Sequence, residues 1–132
     1  MNPTFALRTP EAASLLDGLV SVNLAQMDKV FKGEKGHYPV IRAIQSGELR
    51  YRRADPREHW KSWREVMEGV EEGFGSDCED LSSAVVAELL YNGIPARTYV
   101  YQSSPKLYHV VVSTKKWGYL DPSRAAGMEG TG

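Results

Sequence analysis

The chain has 132 residues, of which 42% are hydrophobic and 25% charged, a balance that suits one globular domain with a single modest core. Sixteen Lys and Arg against seventeen Asp and Glu give a formal net charge of −1, so there is no basic footprint for DNA or RNA and no acidic, solvating tail. Apolar runs are short and carry charges, which excludes a membrane-spanning helix of ~20 apolar residues.

Met1–Leu7 lacks the basic stretch and long apolar core of a secretory signal. Helices are predicted first. Thr9–Pro10–Glu11 opens one, with Thr9 as N-cap and Pro10 at the first helical position. Leu15, Leu16, Leu19, Val20, Met27, Val30 and Phe31 recur at spacings of three and four, which predicts one buried stripe with Asn23 and Gln26 on the other side. Gly33 and Gly36 end this helix. A short helix from Pro39 to about Gln45 follows, then an extended segment or short strand over Glu48–Arg53. Ser62 with Glu65, and Ser76 with Glu79, read as two capping boxes. They predict helices from Trp63 to Glu72 and from just after Ser76 to about Tyr91, the second stopped by Asn92–Gly93 with Pro95 beyond. Ala96–Gln102, Leu107–Ser113 and Trp117–Leu120 are rich in β-formers, and turn-like residues separate them. The pattern predicts an α+β fold, with an antiparallel sheet packed on one face against the helix that starts near Cys78.

Charge is uneven along the chain. Glu48–Arg64 carries six bases and three acids, and Glu65–Asp80 carries seven acids and no base. Such runs are usually solvated faces, although the acidic stretch would also suit a cationic partner.

Cys78 is the single cysteine. No disulfide within the chain and no zinc site built on two or more cysteines is therefore open to it. Its place in the first turn of a helix favours a thiolate, because the N–H groups there have no intrahelical partner and the dipole is positive. Asp77, Glu79 and Asp80 act against ionisation. The sequence does not decide between the two. His109 lies mid-strand among apolar residues, sharing a face with Val111, while Tyr108, Val110 and Val112 share the other. An imidazole there needs a polar partner. If Lys115–Lys116 turns the chain back, Asp121 at the end of the next strand reaches the ring and fixes its tautomer. Nucleophile on a helix end, base on a strand and orienting acid beside it make the arrangement that thiol acyl transfer requires.

Four segments carry a family resemblance: Gly75–Ser76–Asp77–Cys78–Glu79–Asp80–Leu81–Ser82, Gly93–Ile94–Pro95–Ala96–Arg97, Tyr108–His109–Val110, and Trp117–Gly118–Tyr119–Leu120–Asp121–Pro122–Ser123. Together they resemble the transglutaminase-like (transglutaminase/protease) superfamily, in its short stand-alone type from bacteriophages and bacteria. Ser46–Arg53 and Trp60–Lys61–Ser62 are similar to the upstream part of those phage proteins. The resemblance covers residues 38–128 of a single domain, and residues 1–37 form a helical extension outside it. Ser76 stands where glycine is usual in the family.

The resemblance implies a papain-like core with Cys78 as nucleophile, His109 as base and Asp121 as orienting acid. Trp60, then Trp63, is the aromatic expected to line the cleft, with Asp77 beside the nucleophile. The expected activity is that of a cysteine protease or amidase, hydrolysing a peptide or Gln-type amide; protein crosslinking is second to it. No cofactor and no metal is implied, and the expected partner is a protein or peptide substrate, not nucleic acid or membrane. Host cytoplasm or a virion is the expected location.

Two readings compete with this one. The first is a non-catalytic module of the same fold, used for binding or virion assembly. The second is single-strand nucleic-acid binding by Arg50, Arg52, Arg53 and Arg57 interleaved with Tyr51, Trp60 and Trp63. His37 and His59 read as surface or loop residues.

Overall fold

A computed structural model describes residues 9–53, 59–105 and 107–129. Its described part holds five helices: α1 (Thr9–Phe31), α2 (Pro39–Ser46), α3 (Trp63–Glu72), α4 (Cys78–Tyr91) and α5 (Pro122–Ala125). Between α4 and α5 run β1 (Ala96–Ser104), β2 (Leu107–Thr114) and β3 (Gly118–Leu120), an antiparallel sheet in the order β1–β2–β3. The Thr9 side chain, expected to cap α1, and Arg57 lie outside the described residues.

Helix α4 is the centre of the molecule. Every residue from Cys78 to Leu89 is buried, as in a helix enclosed on all sides rather than one with a single apolar stripe. Leu81, Val85 and Leu89 anchor the main core together with Met27, Val40, Ile44, Leu49, Trp63, Val66 and Val112. A second, smaller cluster joins Ala12 and Leu16 of α1 to Cys78, Val100 and Val110, with Ala13, Trp60 and Tyr108 packed against it. The sheet therefore lays its Tyr108–Val110–Val112 face on α4, as strand alternation requires.

Helix α1 buries a narrower stripe than its apolar pattern predicts. Ala12, Leu16, Val20, Asn23 and Met27 face inward, whereas Leu15 and Val30 are more than half exposed. The apolar pattern puts Asn23 on the outer side; it is instead fully buried. The reason lies in the N-terminus of α3. Its first N–H groups have no carbonyl of their own helix to bond. Asn23 Oδ1 accepts from the Trp63 N–H at 2.7 Å, and Gln26 Oε1 accepts from the Arg64 N–H at 2.9 Å. The Ser62–Glu65 capping box completes that end: Ser62 accepts from the Glu65 N–H, and Glu65 reaches back to the Ser62 N–H.

One buried carboxylate binds three helices. Glu88 of α4 accepts from the Val40 and Ile41 N–H groups at the start of α2, at 2.7 and 3.0 Å, and from the Trp63 indole at 2.9 Å. The carboxylate thus supplies the acceptors that the N-terminus of α2 lacks, since Tyr38 makes no side-chain cap.

The segment before α4 is held in place by backbone pairing. Tyr51 and Ser76 form an isolated parallel bridge, with the Arg52 N–H donating to Ser76 O (2.8 Å) and the Ser76 N–H to Arg50 O (3.1 Å). Gly75 permits this approach. A Cβ on it would lie 2.6 Å from Arg50 O and 2.7 Å from Arg52 Cβ, closer than any side chain fits. No helix of the described residues is long and apolar enough to cross a membrane.

Candidate active site

The site is built where the N-terminus of α4 meets β2 and the start of α5. The N-cap of α4 is Asp77, whose carboxylate accepts from the Asp80 N–H at 3.2 Å. This corrects the reading of Ser76 and Glu79 as a capping box. Ser76 is held back by its bridge to Tyr51, its Oγ is buried without a hydrogen-bond partner, and the next residue is an equally good cap. Cys78 therefore opens the helix, and Glu79 is released from capping.

The freed Glu79 carboxylate serves the thiol instead. Cys78 Sγ donates to Glu79 Oε2 at 3.3 Å, and the Tyr108 hydroxyl donates to Glu79 Oε1 at 3.0 Å. Sequence reasoning missed this use of Glu79 and Tyr108. The available signal was that Tyr108 shares a strand face with Val110, the face laid against α4.

Both backbone groups of Val110 are engaged by α4. Its carbonyl accepts from Ser82 Oγ at 3.0 Å, and its N–H acts on the Cys78 sulfur, favouring the thiolate. Strand β3 pairs with β2 only from Val112 onward, so the edge of β2 is open to α4 at this level. The sulfur thus lies against the backbone of the residue that follows His109.

His109 is 1% exposed. Its Nε2 is 3.0 Å from Asp121 Oδ2, and its ring packs edge-on against Tyr101, its register partner on β1, with centroids 5.7 Å apart. Its Nδ1 is buried and has no hydrogen-bond partner. Asp121 is the N-cap of α5, where its other oxygen accepts from the Arg124 N–H at 3.3 Å. Two roles therefore fix this carboxylate: it ends β3 by capping a helix, and it holds one nitrogen of the imidazole.

Trp60 packs against the cluster that contains Cys78. Trp63 lies in the main core, with its indole on Glu88. His37 pairs with Glu34 and stacks on Phe31; His59 pairs with Glu65 at 2.6 Å.

The electrostatics oppose a thiolate in this arrangement. Burial, reinforced by the charges of Glu79 and Asp77, holds the Cys78 thiol well above its ordinary range, against the pull of the Val110 N–H. Asp77 is pushed up to about 10 by burial and by Glu79 and Asp80 beside it. Burial also raises Asp80 to about 6, although the Lys61 N–H, which donates to it at 2.7 Å, favours its charged form. Burial and the Glu79 carboxylate raise the Tyr108 phenol. The competition left open by the sequence is decided against the thiolate, by burial first and by the neighbouring acids second.

Two grooves meet at the end of β3. One, of about 320 Å³, lies between Tyr99, Tyr101 and Tyr119 over Val111 and ends at Asp121. The other, of about 690 Å³, is lined largely by apolar side chains from α2, α4 and α5 together with Trp117 and Tyr119. Among the described residues no group of three or more His, Cys, Asp or Glu side chains is placed to hold a metal ion. Comparison of the chain with protein-family models, curated proteins and solved structures found no match.

Proposed function

We propose that the protein is a thiol-dependent acyl-transfer enzyme that hydrolyses a peptide or Gln-type amide, with Cys78 as nucleophile, His109 as base and Asp121 as its orienting acid. One observation carries the reading. His109 has Nε2 committed to Asp121, while Nδ1 is buried and unpartnered one residue from the backbone that touches the Cys78 sulfur. A hydrogen bond from Nε2–H to the carboxylate selects the tautomer whose free lone pair is on Nδ1. Burying that lone pair without a partner costs about 1–3 kcal/mol, a cost explained if the atom serves to accept a proton.

In the proposed reaction His109 Nδ1 takes the Cys78 proton as the sulfur attacks the amide carbonyl. The oxyanion is met by N–H groups of the first turn of α4, which have no intrahelical carbonyl to bond. Nδ1 then returns its proton to the leaving amine as the C–N bond breaks, leaving a thioester on Cys78. Water, deprotonated by the same nitrogen, releases the acid and restores the thiol. Hydrolysis is preferred to amine transfer, and crosslinking is the lesser form of the same chemistry. The papain-like core implied by the family resemblance belongs to this proposal.

A second reading, a non-catalytic binding module, is favoured by one feature. Tyr99, Tyr101 and Tyr119 stand partly exposed around the smaller groove, with ring centroids 6.1 and 5.2 Å apart, and aromatic side chains of this kind anchor partners.

Treatment with an electrophilic peptide or glutamine analogue, followed by mass spectrometry of the labelled chain, separates the two readings. The enzyme reading predicts label on Cys78 that is lost in His109→Ala. Label on Cys78 that is indifferent to His109, or no label at all, overturns it.

A further inference from the structure

We infer that Glu79, held by Tyr108, is a positioning residue that keeps the Cys78 thiol turned away from His109, so that the site rests closed until a substrate or partner breaks this contact. The inference rests on the reading of Cys78 as nucleophile and goes beyond it. It starts from two contacts and one unpartnered atom. The thiol donates to Glu79 Oε2, the phenol of Tyr108 donates to Glu79 Oε1, and His109 Nδ1 has no donor on it. Two donors on its two oxygens require Glu79 as an acceptor, which suits a carboxylate. The thiol has one proton to give, and it is given to Glu79. Tyr108 holds the acceptor from the sheet side, so the carboxylate is fixed by β2 while the sulfur is fixed by α4.

The surroundings reinforce the closed state. Asp77 and Asp80 at the start of α4, Tyr108 on β2 and Tyr51 on the segment before α3 are the titratable groups around the sulfur and Glu79. Arg53 also acts on Tyr51 from that segment. Cys78 shares an apolar cluster with Ala12 and Leu16 of α1, and Trp60 packs against that cluster. The Tyr108 phenol and the Asp77 side chain also hydrogen-bond to Glu79, and after burial its charge is the largest influence raising the thiol. Replacing Glu79 by Gln removes that charge and keeps the side chain's length. Replacing Tyr108 by Phe leaves the charge but frees its anchor.

The test is the rate of Cys78 alkylation by iodoacetamide from pH 6 to 10, measured on the full chain as wild type, Glu79→Gln, Tyr108→Phe, and each of these combined with His109→Ala. The inference predicts that Glu79→Gln moves the profile to lower pH and speeds labelling at pH 7 by about tenfold or more, as removal of a neighbouring like charge does. Tyr108→Phe should accelerate labelling by a smaller factor. A Glu79→Gln profile that coincides with wild type, or lies at higher pH, overturns the inference, and so does a Tyr108→Phe rate below wild type. The underlying enzyme reading fails separately: acceleration in Glu79→Gln that persists undiminished in Glu79→Gln/His109→Ala would leave the latch standing and remove His109 as the base.

Discussion

At the scale of single residues, the site is governed by burial. Cys78 opens a helix, where the dipole and free N–H groups favour an anion, yet it is enclosed by Leu16, Val110 and Trp60 and flanked by acids. Enclosure and like charge win because burial strips the charged form of solvent and a carboxylate oxygen lies 3.3 Å from the sulfur, while the dipole supplies only partial charge. Asp77→Asn tests this balance. Because Asp77 is itself held up to about 10, it bears its charge only above that pH, so the variant should change alkylation little at pH 7 and speed it more near pH 10, in each case by less than Glu79→Gln does, since Glu79 is the larger influence. Thiolate absorbance followed against pH measures the shift directly. An Asp77→Asn thiol that titrates at higher pH than wild type would mean that the cap's contribution to α4 outweighs its charge.

The residue scale is also where the sequence was least legible. Ser76 and Asp77 are both good caps, and only the Tyr51 bridge, a contact 25 positions away, decides between them. That one-residue difference moves Glu79 from a capping partner to a partner of the thiol. Asn23 was misplaced for a similar reason. Its burial follows from the bare N-terminus of α3, which no pattern within α1 reveals. By contrast, the approach of Asp121 to His109 was legible, because the turn at 115–117 and strand alternation are local and bring the end of β3 beside β2.

At the scale of elements, the termini of helices are bonded by side chains of other helices, which couples them. The strongest case is Glu88, whose carboxyl is raised to about 7 by burial, against the pull of the Ile41, Val40 and Trp63 N–H groups. The sign follows from proton binding. Between its ordinary range near 4.5 and about 7 the folded chain holds this proton and the unfolded chain does not. The contribution of Glu88 to stability is therefore full below pH 4.5 and declines as pH rises through about 7. The shift corresponds to about 3 kcal/mol. Denaturant unfolding of wild type and Glu88→Gln at pH 4 and pH 8 checks it: wild type should lose about 3 kcal/mol more than the variant over that interval. Equal losses would show that Glu88 titrates normally. Glu88→Ala at either pH should be far less stable, because two backbone N–H groups and an indole lose their acceptor.

Elements were the most legible level. The Ser62–Glu65 box, the Gly33 and Gly93 stops and the β-rich runs are all local signals, and each predicted helix and each of the three C-terminal strands is present with ends displaced by a few residues at most; the Glu48–Arg53 segment forms only the Tyr51 bridge, and α5 has no counterpart among the predicted elements. The approach at Gly75 was not visible in this way, since glycine there reads as a simple helix stop. Gly75→Ala should destabilise the chain by about 1–3 kcal/mol, as overpacking against fixed backbone does. A thermal melt measures it, and a melt identical to wild type would show that the Arg50–Ser76 pairing yields without cost.

At the scale of the whole molecule, α4 is enclosed by α1, α2, α3, the sheet and α5, and the candidate site lies where that enclosure is thinnest in apolar material. The main core packs the middle and C-terminal part of α4, while among the described residues only four other buried residues join Cys78 in its cluster. Leu16 belongs to that small cluster and is fully buried against it. Leu16→Ala should cost about 2–5 kcal/mol in unfolding free energy. It should also expose the thiol, so alkylation at a fixed pH rises while the fold, read by circular dichroism, is kept. A protected thiol in a destabilised variant would show that α1 does not cover Cys78.

The proposed chemistry depends most on the state of one imidazole. Nitrogen-15 NMR of the His109 ring, before and after alkylation of Cys78, measures it directly. The account predicts a ring with its proton on Nε2, toward Asp121, and an Nδ1 resonance that moves when the sulfur is modified. A ring protonated at Nδ1, or an Nδ1 resonance unmoved by modification of Cys78, would contradict it.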